Sequence, residues 1–495
     1  MRPIALASLL FFCEACRCGG GGPDAGSGRA VEVTRGRTLI SGAGSSEVPF
    51  ELDETTVSAL VRDDAGQRVV YPTVTGPGTA RFDDLPFGDY ALEISGYHIV
   101  TGEGRVDLGI VSLGRASVAV TDGGTVLQAD VTGLKPWAPL GDVLQVTSEN
   151  AGYVALNAQS HVAAQPDAGE TSAQLELDWM RACGTLRLGL APLPDPDAGD
   201  VVTFTQLSSE RVPDAGALEL RTLVRAAVSA LPVSDHAVTR VSLTFAPPAT
   251  TERIDLDYRQ SAFAALKTQV HPAATSISSS VVVTVAPYTA MYGAYTAAPD
   301  LAVLRPQQTT GDVRLAFDTG NPFHPAWPKY VSANYLVQVQ YPFPDGGTST
   351  VSTALFAQDL LANTQGRPLE PRISPPRALK VDGADALTRA LISRRPVIRW
   401  EPPAIGTPTS YGITLYRFSR IGSGPVIAVS EEAFYETTGT ELQLPFGEVE
   451  VGAEVVFGVT AFDSPGTDVR KAPFKGAFPI GAATALTAMM QVDAI

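Results

Sequence analysis

Three cysteines stand within six residues, Cys13, Cys16 and Cys18, and the fourth is far away at Cys183. A closed zinc site takes four Cys or His ligands, usually as two spaced pairs. No histidine lies near the cluster, so no metal site is expected. The five histidines, His98, His161, His236, His271 and His324, are scattered along the chain. Asp318-Thr319-Gly320 follows an apolar run and could supply one carboxylate of a proton-sharing pair. That chemistry needs a second copy of the triplet, and the sequence has none. "IGSGP" at Ile421 is not the Gly-x-Ser-x-Gly of a nucleophile elbow, and no phosphate loop or dinucleotide fingerprint occurs. No catalytic residue and no cofactor is assigned.

Aromatic side chains are the remaining candidates for recognition. "NPFHPAWPKY" carries Phe323, Trp327 and Tyr330 among prolines, and "PYTAMYGAY" carries Tyr288, Tyr292 and Tyr295. On exposed loops such rings make flat platforms for sugars or proteins. Phe323, Trp327 and Tyr330 are therefore the candidate ligand contacts. The competing reading, that these rings fill the core, is the favoured one.

The amino-terminal cysteines are better explained by export. Arg2 supplies a positive charge and "PIALASLLFF" an apolar run too short for the ~20 residues that cross a bilayer. Cys16 follows the small residue Ala15, and "GGGGPDAGSG" follows it as a flexible tether. The segment resembles a bacterial lipoprotein signal. That resemblance implies cleavage after residue 15 and a lipid on Cys16, whereas Glu14 departs from the usual pattern. Simple secretion is the alternative. Cys18 and Cys183 would both survive export, and Cys183 is read as a buried thiol in preference to a bridge.

Composition points to strands and turns. The 495 residues include 46 Gly and 38 Pro, a share above the usual ~12%. A net charge of −16 and the lack of a basic run argue against nucleic acid as a partner. "PDAG" recurs at Pro23, Pro166, Pro196 and Pro213, with "PDGG" at Pro344. Each is a turn: Pro presets φ, Asp bonds its own backbone and Gly accepts positive φ. "DPDAGD" from Asp195 lacks the spacing of a calcium loop and is read as one of these turns.

Period-two patterns then divide the chain. In 45–135, "TVSALVRD" alternates Val57, Ala59 and Val61, and "ARFDDLPFGDYALEIS" alternates Tyr90, Leu92 and Ile94 after a turn. Gly66, Phe82, Leu85, Pro86, Gly88, Tyr90 and Leu92 make the segment resemble the carboxypeptidase regulatory-like and prealbumin-like β-sandwich modules. In 372–490, "RPVIRWEPP" puts Ile398 and Trp400 on one strand, and "TSYGITLYR" puts Tyr411, Ile413 and Leu415 on the next. This segment resembles a fibronectin type III domain, with Val455 where that family has its corner Tyr. The resemblance implies a two-sheet core around Trp400. The region 138–370 matches no known pattern and reads as one or two β-rich domains with one or two helices. One helix is predicted over "LELRTLVRAAVSAL", where Leu220, Leu223, Val224, Ala227, Val228 and Leu231 recur at helical spacing.

The expectation is thus an all-β protein of several sandwiches: signal 1–15, tether 16–44, and modules at 45–135, 138–370 and 372–490. The expected role is a lipid-anchored binding or structural scaffold of the bacterial cell envelope, at the outer membrane or cell surface. Its expected partners are the membrane through the amino-terminal lipid, and protein or carbohydrate. The rival is a hydrolase of extracellular polymer, which would need a deep pocket in 138–370 lined by at least two carboxylates of raised pKa.

Overall fold

The computed structural model describes residues 28–493 apart from 43, 51, 53–55, 64–65, 162–164, 186–188, 213–217, 288–297, 307–310, 344–345, 421–426 and 446–447. Cys13, Cys16, Cys18, Tyr288, Tyr292 and Tyr295 lie outside the described residues, as do the turns at Pro23 and Pro213. The chain is all-β and sandwich-built, with short helices as its only other regular structure among the described residues. No helix among these residues is long and apolar enough to cross a membrane.

The first sandwich packs the sheet of Arg29–Thr34, Thr73–Gly76, Thr79–Leu85 and Arg105–Asp107 over Val57–Asp63, Gly66–Val70, Tyr90–Ile94 and Tyr97–Thr101. Its core holds Val31, Val33, Val57, Ala59, Phe82, Tyr90, Leu92 and Ile99. The tether expected over 16–44 is therefore corrected over its second half, from Arg29 onward. Arg29–Thr34 and Gly36–Ser41 are strands, and Val31 and Val33 are fully buried by the same alternation that marks the later strands. Likewise Val126–Thr132 belongs to the next sandwich, between Ser172–Asp178 and Val238–Thr244. That second sandwich encloses Trp137, Tyr153, Trp179 and Phe204, with Tyr153 stacked on Trp179 at 3.8 Å. Cys183 is buried there, its Sγ 3.6 Å from Thr185 Oγ1.

The helix predicted over 218–231 is a strand, Leu218–Ser229, hydrogen-bonded to Val202–Val212 on one side and Asp300–Pro306 on the other. The misreading has a physical cause. Pairing steps from Arg225 opposite Gln206 to Leu223 opposite Leu207, so Val224 is an extra, bulged residue. The bulge shifts the inward phase by one. Leu218, Leu220 and Thr222 are buried before it, Leu223 is buried immediately beside it, and Ala227 is buried after it. A strand broken in this way buries residues at spacings of three and four, which mimics a helix. The longest helix among the described residues is Gln260–Val270.

One hydrogen-bonded ribbon crosses the whole molecule. From the second sandwich it runs through Val202–Val212, Leu218–Ser229, Asp300–Pro306, Thr275–Val285, Lys329–Pro342 and Thr348–Leu360. It passes into the last region where Thr348–Leu360 pairs with Ile480–Leu486. It continues through Glu454–Asp463, Ser410–Arg420 and Ile427–Thr437. It then enters the first sandwich through a parallel pairing of Ile427–Thr437 with Tyr97–Thr101. Over the last region lies a second sheet of Ala384–Asp385, Arg377–Val381, Val397–Glu401 and Glu441–Gln443. Trp400 is 5% exposed between the sheets and meets Tyr411 edge-on at 5.3 Å. Val455 is buried on the strand Glu454–Asp463.

The junction of first and last regions is a built interface. Phe474 enters the core of the first sandwich and meets Tyr97 edge-on. Lys475 pairs with Asp107 at 2.5 Å and Arg470 with Asp89 at 2.5 Å. Thr101 donates its hydroxyl to the Arg470 carbonyl at 2.8 Å, and the Asp107 amide donates to the Lys471 carbonyl at 2.7 Å. At the centre of the joint His98 is fully buried and stacked on Tyr435, ring centroids 4.5 Å apart.

Candidate functional site

A cleft of about 510 Å³ opens where the helix Gln260–Val270 faces the strand Arg377–Val381. The helix buries Gln260, Phe263, Leu266 and Val270 on one face, which packs on Thr275–Val285, Lys329–Pro342 and Ile480–Leu486. Its end is dictated by Pro272, which cannot donate to the helix and disfavours helical dihedrals at the residue before it. His271 accordingly turns to φ −166°. Its Nδ1 accepts the Ala273 amide at 3.1 Å, which leaves Nε2 to carry the proton. Partial burial lowers the His271 pKa, so the ring is neutral at pH 7.

The opposite wall is an irregular strand. Arg377 pairs with Glu401, but the next paired residue, Lys380, lies opposite Arg399, so one extra residue is accommodated. Ala378 takes φ +49°, uncommon for a residue with a Cβ. As a result Arg377, Ala378, Leu379 and Lys380 all line the cleft, although a regular strand would present every other residue. Val270, Leu379, Ala485 and Leu486 make an apolar floor, and Leu387 stands at the rim, 49% exposed. Arg377 donates through Nε to the Pro402 carbonyl at 2.9 Å and lies 3.6 Å from Glu401. Lys380 is exposed and makes no ion pair among the described residues. The one carboxylate of the lining, Asp385, accepts the Leu387 amide at 2.9 Å.

The residues singled out from sequence lie elsewhere. Phe323, Trp327 and Tyr330 are 5%, 6% and 0% exposed, so they are core residues and offer no platform to a ligand. Their loop is tied at both ends to Glu252. That carboxylate accepts from Asn321 Nδ2 at 3.0 Å and pairs with Lys329 at 2.6 Å. Burial alone would raise its pKa, but the bonds from Lys329 and Asn321 outweigh burial and lower it. Asp318 points to solvent from the strand Val313–Gly320 and faces Arg253 at 3.4 Å. Thr319 is buried and stitches three strands: it accepts the Leu223 amide at 3.0 Å and donates to the Leu301 carbonyl at 2.6 Å. The triplet is structural.

The "DPDAGD" turn is also structural. Asp195 caps a single 3₁₀ turn by accepting the Asp197 amide, and Gly199 takes φ +80°. Asp200 is buried in a two-pronged pair with Arg115, Nε–Oδ1 3.0 Å and Nη2–Oδ2 2.8 Å. No group of three or more potential metal ligands forms among the described residues. Burial lifts Glu149 and Asp300 to about 7 each. They stand on separate elements, a turn and the start of the strand Asp300–Pro306, and neither lines the cleft. The cleft itself was missed because its walls come from segments more than 100 residues apart and because a β-bulge leaves no fixed mark in sequence.

What the fold defines is a class of protein, an all-β chain of stacked sandwiches joined by continuous strand pairing. No family model matches the chain, and no curated protein matches it. Among solved structures it is similar to a tetra-tandem repeat from the extending region of a large adhesion protein, at 11% identity and a TM-score of 0.12, over 93% of this chain and 100% of that one. It is also similar to Escherichia coli alpha-2-macroglobulin activated by porcine elastase, at 10% identity and a TM-score of 0.14, over 94% of this chain and 44% of that one. Neither likeness defines an activity for this chain.

Proposed function

We propose that the protein is a bacterial envelope scaffold, exported and held at the outer membrane or cell surface by a lipid on Cys16. The observation that carries the scaffold reading is the ribbon that runs unbroken through all three regions, closed by the parallel pairing of Tyr97–Thr101 with Ile427–Thr437. Modules on loose linkers move independently, whereas modules sharing backbone hydrogen bonds and buried side chains hold a fixed geometry. A fixed frame is what presentation of a binding surface away from a membrane requires. The order of strands around Trp400, with Val397–Glu401 between Arg377–Val381 and Glu441–Gln443 in one sheet and Ser410–Arg420 between Ile427–Thr437 and Glu454–Asp463 in the other, supports the fibronectin type III reading of 372–490. The anchor rests on the apolar run ending at Phe12, on Ala15 and on the Gly-rich stretch after Cys18.

One acyl chain gives only marginal, reversible membrane binding, and two or more hold firmly. The wild type should therefore incorporate labelled fatty acid, resist a salt wash and partition with detergent. Cys16→Ala should abolish labelling, and Cys18→Ala should leave it intact. Labelling that survives Cys16→Ala would place the anchor elsewhere, and an unlabelled, freely secreted wild type would leave simple export as the correct reading.

A further inference from the structure

We infer that the cleft between the helix Gln260–Val270 and the strand Arg377–Val381 binds a terminal carboxylate carried on an aliphatic body. Three features converge on that class of ligand. The floor of Val270, Leu379, Ala485 and Leu486 is aliphatic and continues to the half-exposed Leu387 at the rim, so it suits a chain and not an aromatic ring. The volume of about 510 Å³ lies in the range, ~300–1,000 Å³, in which small organic ligands are held. The polar groups are arranged for an anion. Lys380 makes no ion pair among the described residues, Arg377 is held by the Pro402 carbonyl at 2.9 Å with Glu401 3.6 Å away, and His271 presents a neutral ring whose Nε2–H can donate.

The backbone supports the same reading. The bulge and the positive φ of Ala378 cost conformational energy, and they bring both cations to the same wall as Leu379. Cationic side chains beside an aliphatic trough select an anionic head with an apolar tail, acting locally against the repulsion of a chain of net charge −16. Asp385 lies cross-strand from Lys380 on the same lining and opposes any further negative charge in the site.

The test titrates the purified full-length Cys16→Ala chain with decanoate, following backbone amide shifts of Gln269, His271, Leu379 and Leu387, with decanol as the uncharged comparator. Failure here is distinguishable from failure of the anchor, because no membrane is involved. Decanoate should bind saturably and about tenfold more tightly than decanol, the worth of one charge-assisted contact. Lys380→Gln, at an exposed position that leaves the fold intact, should remove that preference while decanol binding stays the same. Asp385→Asn should tighten decanoate a few-fold by removing repulsion. Equal binding of decanoate and decanol, an unchanged preference in Lys380→Gln, or no shift at these residues at millimolar decanoate would each overturn the assignment.

Discussion

His98 makes the joint between the first and last sandwiches sensitive to acid in a way that can be measured. It is fully buried on the strand Tyr97–Thr101, paired with Tyr435 and stacked on its ring. Burial pulls its pKa down to about 3 from an ordinary 6.5. The neutral ring is therefore the form that the closed joint accepts, and an opened joint takes up a proton as pH falls below 6.5. Stability of the joint is complete above that pH and declines toward pH 3. With a tenfold change in the open-to-closed ratio for each pH unit, acidification from pH 7 to pH 4 should cost about 3 kcal/mol at this one residue. Its cross-strand neighbour Glu93 works in the opposite sense: burial raises its pKa, so protonating it favours the closed form. The comparison that isolates His98 is with His98→Phe, which keeps a ring against Tyr435 and does not titrate. Hydrogen exchange of the amides in 97–101 and 434–436, corrected for intrinsic pH dependence, reads the opening directly. Protection in wild type relative to His98→Phe should fall by roughly two orders of magnitude between pH 7 and pH 4. Parallel profiles for the two proteins would refute the reasoning, because His98 would then be either solvated or protonated within the closed joint.

Three further outcomes follow from the packing. Trp400→Ala should destabilise the last region by about 3–5 kcal/mol in urea unfolding, the range for emptying a buried aromatic site, and a change under ~1 kcal/mol would remove Trp400 from its core. Arg115→Ala leaves the buried Asp200 carboxylate without its cationic partner, with only the Asp195 amide among the described residues still bonded to it, and should cost about 3–5 kcal/mol by the same assay, whereas a cost below ~1 kcal/mol would show that water reaches Asp200. Asp318→Asn breaks only an exposed pair with Arg253 and should change stability by less than ~0.5 kcal/mol, with any measurable binding or activity unchanged.

What could be read from sequence was what local chemistry decides. The alternation at Tyr90, Leu92 and Ile94 and at Ile398 and Trp400 marks strands because the inward face of each must be apolar whatever it packs against. The turns at Pro166 and Pro196 were equally legible, with Gly169 and Gly199 taking positive φ as that chemistry requires. The helix Gln260–Val270 was missed although Phe263, Leu266 and Val270 are suitably spaced. Arg259 provides no capping side chain, so the usual marker of a helix start is absent. The helix wrongly expected at 218–231 failed for the converse reason, since the bulge at Val224 produced helical spacing on a strand.

The candidate site and the joint belong to a different level of information. Lys380 looks like any solvent-facing residue of an alternating strand in "PPRALKV". Only the extra residue opposite Trp400 turns it onto the wall that also carries Leu379, and a single sequence does not mark where pairing will slip. The same holds for His98, whose partner strand lies more than 300 residues away. Seen locally, "GYHIVTGE" offers a polar side chain on a strand beside a glycine turn, which reads as a surface position. What buries it is the strand Ile427–Thr437, which arrives in parallel and could have ended its own sheet as a free edge. An uncovered edge of that length would be open to pairing with another chain, and joining it to the first sandwich removes that hazard while fixing the geometry of both ends. The ion pairs of Arg470 and Lys475 and the inserted Phe474 then hold the register of the joint from the outside. The buried imidazole stacks on Tyr435 with neither ring nitrogen hydrogen-bonded among the described residues, and the acid sensitivity predicted above is the direct consequence of burying that residue.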